Sequence, residues 1–433
     1  KLGISNTPTG PFQRTVFEKV DKEITALGIE HNEHGDRAVS YLYCVEANCP
    51  ECGKKIPLSP SWVIGKGTKT IAKLEERENG FDLNVKMGAA KAEMKEAESA
   101  ATIKNSQMIC PACGKTTPIT SLRKDRKDEN GNTVYGLRQW GESEFDFRED
   151  DVYNERLYAI KYEHVEFVPE LDKYVINRYY RYPNERDLEN EKKVKQIVAD
   201  NITTWQKQGL VPSTEIESGL ETDRLFKERG WTHWNHLFNT RQLLTISKFV
   251  EIIGKHEDKL LRIIGILGLN KCADWNSRLC IWNSGTGNEK LQNTFTTQAL
   301  NTLFNYGCRS VFGMDSSWFY NVNSYAINIE NAKIKSMDAR EVENKCHLWI
   351  TDPPYADAIN YHELSEFFLA WDKKLLQQTF PKWYTDSKRI LAIKGDDHFS
   401  QSMIDIYSNL AKHMHDDGMQ VVMFTHSNPA VWA

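Results

Sequence analysis

Two near-copies of one short motif constrain this chain more than anything else in it. Cys49-Pro50-Glu51-Cys52-Gly53 and Cys110-Pro111-Ala112-Cys113-Gly114 each read as a tight knuckle, with a glycine to take the positive φ the turn needs. Backbone amides inside such a knuckle point at its sulfurs. Two knuckles supply four thiolates, the donor set of a closed tetrahedral structural Zn²⁺ site, so the expected metal ligands are Cys49, Cys52, Cys110 and Cys113. The 57 residues between Cys52 and Cys110 exceed common zinc-ribbon spacing, so a hairpin and a helix must be inserted there. Lys54 and Lys115 follow the knuckles and are expected to offset some of the thiolate charge. Nine cysteines is an odd number, and the two Cys-x-x-Cys pairs favour metal binding in a reducing compartment over a disulfide framework. Cys44 reads as a strand residue. Cys272, Cys280, Cys308 and Cys346 lie in apolar text and read as small core residues.

The remaining composition is that of a globular protein with more than one core: 433 residues, 40% hydrophobic and 11% aromatic. A net charge of -5 excludes a global basic field, so contact with nucleic acid must rest on local patches. Asn177–Arg186 interleaves arginines with tyrosines, and Leu122–Lys127 is a basic run beside the second knuckle. Either can contact phosphates, and either can be a solvated face. The most apolar stretch, Leu260–Leu269, contains Arg262 and is too short to span a bilayer, so no membrane partner is expected. No signal peptide is read and residue 1 is lysine, which suggests part of a longer or processed cytoplasmic protein.

Periodicity predicts helices over 12–27, 89–101, 231–254, 260–269, 295–304, 361–376 and 399–413. Strands are expected at 38–45, 63–64, 70–72, 81–85, 325–329, 332–337, 348–350 and 420–424, with mixed strands over 134–151. Residues 169–212 read as helical and charged, and Asp416-Asp417-Gly418 as the stop after the last helix. Gly285-Thr286-Gly287-Asn288 lacks the strand-loop-helix setting of a nucleotide loop and is discounted. His233 and His236 have no partner at ligand spacing and read as ordinary helix residues.

Asp352-Pro353-Pro354-Tyr355 follows the apolar run Leu348-Trp349-Ile350. Prolines donate no amide hydrogen bond, so the strand stops there, where open α/β sheets bind ligands. This arrangement suits methylation of an exocyclic base amine, a poor nucleophile whose lone pair is delocalised into the ring. Acceptors at the Asp352 carboxylate and the Pro353 carbonyl can hold the two amine protons and localise the lone pair. Tyr355 can stack on the base, and no proton need leave before attack. The expected catalytic residues are Asp352, Pro353, Pro354 and Tyr355.

This tetrapeptide resembles the motif of S-adenosylmethionine-dependent amino-methyltransferases, chiefly DNA adenine-N6 methylases. Four longer blocks narrow the resemblance: Ala38–Tyr43 with the first knuckle and Ile56–Leu58; Gly230–Leu244; the tetrapeptide with Tyr361–Trp371; and Phe424-Thr425-His426 with Trp432. Together they resemble the large prokaryotic DNA methylases with an internal zinc ribbon, often encoded near phage-defence genes. The resemblance implies a mixed α/β fold with a Rossmann-like methyltransferase sheet, partial in this chain. It also implies S-adenosylmethionine as donor, and double-stranded DNA as partner with the target adenine flipped out of the stack. Other phage-defence proteins are further candidate partners. Asp338, at the end of the 332–337 strand, is the candidate cofactor-binding residue, with a turn residue as the plain alternative. The family's glycine-rich cofactor loop is not found in these residues and is expected upstream of residue 12. The chain is therefore expected to be an internal piece holding mainly the target-base half of the site.

On this basis residues 1–45 form a helix and strand of the methyltransferase core, 46–168 the zinc-ribbon insertion, 169–310 a helical insertion that is a candidate for target reading, and 311–433 the catalytic half. Two other functions fit the same residues. One is methylation of RNA or of cytosine N4. The other is a non-catalytic nucleic-acid-binding subunit, or a zinc-ribbon scaffold in a defence complex, that keeps the methylase fold.

Overall fold

The computed structural model describes residues 9–287, 289–319, 333–354, 359–382, 384, 393 and 398–425. Its centre is strand β1 (Arg37–Asn48), buried on both faces from Ser40 to Ala47 as its run of Val, Leu, Tyr and Cys requires. Strands β2 (Lys55–Leu58), β3 (Val63–Gly65), β4 (Thr70–Arg77) and β5 (Gly80–Lys86) follow. Strands β6 (Ile103–Lys104), β7 (Gln107–Ile109) and β8 (Thr116–Pro118) form a small sheet of their own. The main sheet is completed by β9 (Tyr153–Val168), β10 (Lys173–Arg181) and β11 (Asn305–Arg309). Its eight strands run in the order β10-β9-β1-β2-β5-β4-β3, with β11 also on β1. All of its pairings are antiparallel except a single parallel bridge between Lys55 and Gly80. One sheet thus takes strands from three of the four segments that the sequence suggests.

Helices α1 (Thr9–Ala26), α2 (Lys91–Ser99), α3 (Glu185–Lys207), α4 (Thr240–Gly254) and α5 (Lys259–Asp274) come next, and all but α2 join one large core. Val16, Val20 and Ile24 of α1, four residues apart on one face, meet Phe249 and Ile253 of α4 there. After α6 (Tyr361–Leu364), α7 (Glu366–Thr379) adds Phe367, Trp371 and Leu375 to this core. The chain then runs through α8 (Phe399–Lys412). A second sheet pairs β12 (Cys346–Thr351) with β13 (Met414–Val422) in parallel, with α6 to α8 in the connection. The fold is mixed α/β with a largely antiparallel central sheet. A Rossmann-like sheet is not assembled among the described residues, whose one extended parallel ladder is the β12–β13 pair.

Several local expectations are corrected. The helix expected from Trp231 begins at Thr240, where Asn239 accepts from the Gln242 amide (3.0 Å) and Gln242 Oε1 accepts from the Asn239 amide (2.9 Å). Before it, Trp234–Leu237 is a 3₁₀ turn held by buried His236, whose Nδ1 accepts from the Thr232 and His233 amides while Nε2 donates to the Gly141 carbonyl. Residues 295–304 form no helix. Asp274 accepts from Asn293 Nδ2 and the Phe295 amide and holds their start as a turn. Residues 135–152 contain no strand. Arg138 pins them through Asp151 and Glu144. The 169–212 stretch opens with β10 before α3. Asp416-Asp417-Gly418 lies inside β13, as a bulge between the Cys346–Met414 and Leu348–Met419 pairs. Residues 325–329 lie outside the described residues.

Asp372 of α7 is buried against Asn270 of α5, whose Nδ2 donates to its carboxyl at 2.9 Å. Burial pushes its pKa up to about 8. An unfolded aspartate ionises near pH ~4. The stability contributed by the neutral acid is therefore complete below that pH and is lost as pH rises through about 8. Thermal melts should show Tm falling from about pH 5 to 8, and a flatter profile in Asp372→Asn. An identical fall in the variant would refute this.

Candidate metal centre and the Asp-Pro-Pro turn

Each cysteine knuckle is the tip of a hairpin. The first joins β1 to β2, with Asn48 opposite Lys55, and the second joins β7 to β8, with Ile109 opposite Thr116. The two are built alike. The Cys49 and Cys110 amides donate to the Lys54 and Lys115 carbonyls (2.8 and 2.9 Å), and the Gly53 and Gly114 amides donate back to Cys49 and Cys110 (2.8 and 2.9 Å). Gly53 and Gly114 take φ of 75° and 69°, the left-handed region that the glycine of the motif permits.

The long insertion is closed at its base. Buried Ser59 and Thr102 bind each other: the Ser59 amide donates to Thr102 Oγ1 (2.9 Å) and the Thr102 amide to the Ser59 carbonyl (2.9 Å). Residues 59–102, carrying β3, β4, β5 and α2, thus leave and re-enter at one point. Only 53–58 and 103–109 are left to span the two cysteine pairs, which suits ribbon spacing. Neither serine nor threonine stands in a recognisable motif, so this closure had no sequence signal.

The four sulfurs lie within 4.8 Å of one another. Cys49 and Cys113 are 3.8 Å apart, and Cys52 and Cys110 3.6 Å. A tetrahedron with Zn–S bonds of about 2.3 Å has sulfur–sulfur edges of about 3.8 Å, so the cluster can take a metal ion of zinc's size. The Glu51 and Cys52 amides bond to the Cys49 sulfur, that of Lys54 to Cys52, and those of Ala112 and Cys113 to Cys110. These donors stabilise thiolates. Burial nevertheless holds the metal-free Cys110 thiol up at about 12 and raises Cys49, whereas the Lys54 amide lowers exposed Cys52. Lys54 does not face the sulfurs. Its ammonium bonds to Glu76 (2.6 Å) and the Arg77 carbonyl (3.0 Å), and Lys115 is exposed. The amides, and not the Lys54 ammonium, donate to the sulfurs. Val45, Ile56, Met108, Ile119 and Tyr153 pack around the centre.

Asp352, Pro353 and Pro354 follow directly on β12, and Asp352 is exposed. Tyr355 lies outside the described residues, as do His426 and Trp432. The strand before the turn is less covered than expected, with Leu348 and Ile350 at 50% and 62% exposure. The expected 332–337 strand is not formed among its described residues. Asp338 instead caps the 3₁₀ turn Ala339–Glu341, accepting from the Arg340 amide, and pairs with the Arg340 guanidinium at 2.6 Å. That partner lowers its pKa.

Three residues of the third sequence block have structural settings that the sequence did not signal. Glu363 is buried and accepts from the Leu220, Glu221 and Thr222 amides at 2.9–3.1 Å, tying α6 to the 217–222 loop. Tyr361 and His362 line a cleft of about 670 Å³ with Asp274, Phe295, Met337 and Phe368, of which Asp352 is not a lining residue. The 177–186 stretch is largely spoken for. Arg178 bonds to Glu163, Arg181 to Glu33 and Asp187, Tyr179 to Asp36 and Tyr180 to Glu289. In the 122–127 run Arg123 pairs with Asp125, leaving Lys124, Arg126 and Lys127 exposed near the second knuckle. No described helix is long and apolar enough to cross a membrane. No protein-family model, curated protein or solved structure matches the chain.

Elemental analysis should find about one bound metal per folded chain, and Cys110→Ser should lose it together with several degrees of Tm. Because Cys49 and Cys110 hold their protons above the usual thiol range without metal, binding releases protons. Zinc affinity measured against a chelator should rise as pH increases from about 6 to 8. A fully folded, metal-free protein would contradict both.

Proposed function

We propose that the chain carries the acceptor half of an amino-methyltransferase acting on adenine N6 in DNA, in DNA modification or phage defence, with a structural zinc held by Cys49, Cys52, Cys110 and Cys113. The observation that carries this reading is the position of Asp352. It leaves the C-terminal end of β12, which runs parallel to β13 with Ile350 opposite Val421 and Thr351 opposite Val422. The Met423 amide donates to the Thr351 carbonyl at 2.8 Å, so both strands end at the same level. This is where α/β sheets present ligand-binding loops.

The role assigned to the chain's own groups is positional. An exposed carboxylate at Asp352 and the Pro353 carbonyl accept the protons of the base amine, and Tyr355 stacks on the ring. Two acceptors held on a proline-stiffened turn lower the cost of orienting the amine. S-adenosylmethionine would supply the methyl group when bound. Exposed Lys124 and Arg126, which follow the second knuckle in sequence, are candidates to contact DNA phosphates, while Lys127 donates to Thr133 Oγ1.

A second reading has one observation in its favour. Asp338, the candidate cofactor residue, is engaged by Arg340, which fits a nucleic-acid-binding protein that keeps part of a methylase fold without the reaction. Mass spectrometry of digested DNA and RNA after incubation with the full-length protein and S-adenosylmethionine separates the two. N6-methyladenine is expected in DNA, falling at least ~100-fold in Asp352→Ala with an unchanged melting curve. Full activity in that variant removes the proposal. Methylated cytosine or RNA redirects it to the other substrates.

A further inference from the structure

The β9–β10 hairpin runs past the sheet that supports it. The β1 ladder stops opposite it at the Arg37–Glu163 pair, so from Val165 onward β9 and β10 form a two-stranded ribbon with no third strand among the described residues. Such ribbons are marginal in water unless a face is covered. The register is unbroken, with Val165 opposite Ile176 and Phe167 opposite Tyr174, which places these four side chains on one face. The Phe167 and Tyr174 rings meet edge to face at 5.2 Å. All four are 45% to 70% exposed, as is Leu171 at the tip, so no described residue covers them. The other face carries His164, Glu166, Val175 and Asn177.

Charge identifies what covers the apolar face. Glu163, Glu166, Glu170 and Asp172 outnumber Lys173 and Arg178 along the ribbon, which disfavours a polyanion such as DNA. Exposed Glu170 and Asp172 stand at the tip, and Arg178, half exposed and bonded to Glu163 through Nε, stands at the root of the same apolar face. Two such ribbons packed face to face and antiparallel bring tip acids over root arginines twice by symmetry. Tip-to-tip packing would set acid against acid. We propose that this face joins two copies of the chain through antiparallel ribbons as a symmetric dimer. Five large side chains a side fall short of the about 800 Å² per partner of a stable interface, so the dimer is weak, on the order of micromolar.

Sedimentation velocity over about 1–200 µM tests this against that affinity range. The wild-type chain should pass from monomer to dimer and no further. Phe167→Glu with Ile176→Glu should be monomeric throughout with an unchanged melting curve, because both side chains are exposed. Arg178→Glu should weaken the dimer by about fivefold, and adding Glu170→Arg and Asp172→Arg should restore it. A wild-type monomer at every concentration, open-ended oligomers, or a dimer indifferent to the Phe167/Ile176 variant overturns the proposal. So does a monomer that binds duplex oligonucleotide through the same two residues.

Discussion

Strand β1 is the constraint on which the rest of the molecule depends. One edge pairs with β9 along most of its length. The other pairs with β11 from Ser40 to Cys44 and then with β2 from Val45 to Asn48. A strand with three partners and two differently packed buried faces has a single register, because a one-residue slip would move every side chain into the packing of the opposite face. The first knuckle begins where this strand ends. The position of Cys49 and Cys52 is thus set by β1, and the second knuckle must be brought to them by the Ser59–Thr102 closure and the small β6–β8 sheet.

Around that sheet, irregular segments are held by buried charge. Arg278 is almost fully buried and donates to the His236, Phe238 and Phe145 carbonyls at 2.8–3.1 Å while facing Glu155. Arg241 bonds to Glu191 and the Ile29 carbonyl and lies 4.0 Å from the Tyr41 ring centroid. Burial lowers His236 to about 3, so it stays neutral and can accept and donate at once. Buried charged groups are costly unless every donor is used, so such arrangements tolerate one loop geometry. Glu363 does the same for the 217–222 loop, accepting from three converging amides.

These contacts explain what was legible from residues alone. The knuckles were, because the spacing of Cys, Pro and Gly is itself the turn. So were α1, α5, α7 and α8, whose apolar spacing matches one buried face. The start of the helix expected from Trp231 and the whole of the one expected over 295–304 were not: Asn239 caps the first locally with Gln242, while His236 and Asp274 hold turns through Gly141, Asn293 and Phe295, distant in sequence. Asp338 looked like a strand end. Its own neighbour two residues on, Arg340, makes it a cap. The basic, aromatic 177–186 stretch left a nucleic-acid surface and a solvated face both open, and its side chains are instead bonded to Asp36, Glu163 and Glu289 across the fold.

The sequence by itself determined the four-cysteine cluster that can take a metal ion and the end of β12 ahead of Pro353. A Cys-Pro-x-Cys-Gly turn and a Pro-Pro pair act through their own φ angles and missing amide protons, which travel with the residues. Tertiary structure alone decided that three segments share one largely antiparallel sheet and that the β9–β10 ribbon extends beyond its support. Strand partners and covered faces depend on hydrogen bonds and burial between residues far apart in the chain, and no local pattern encodes them.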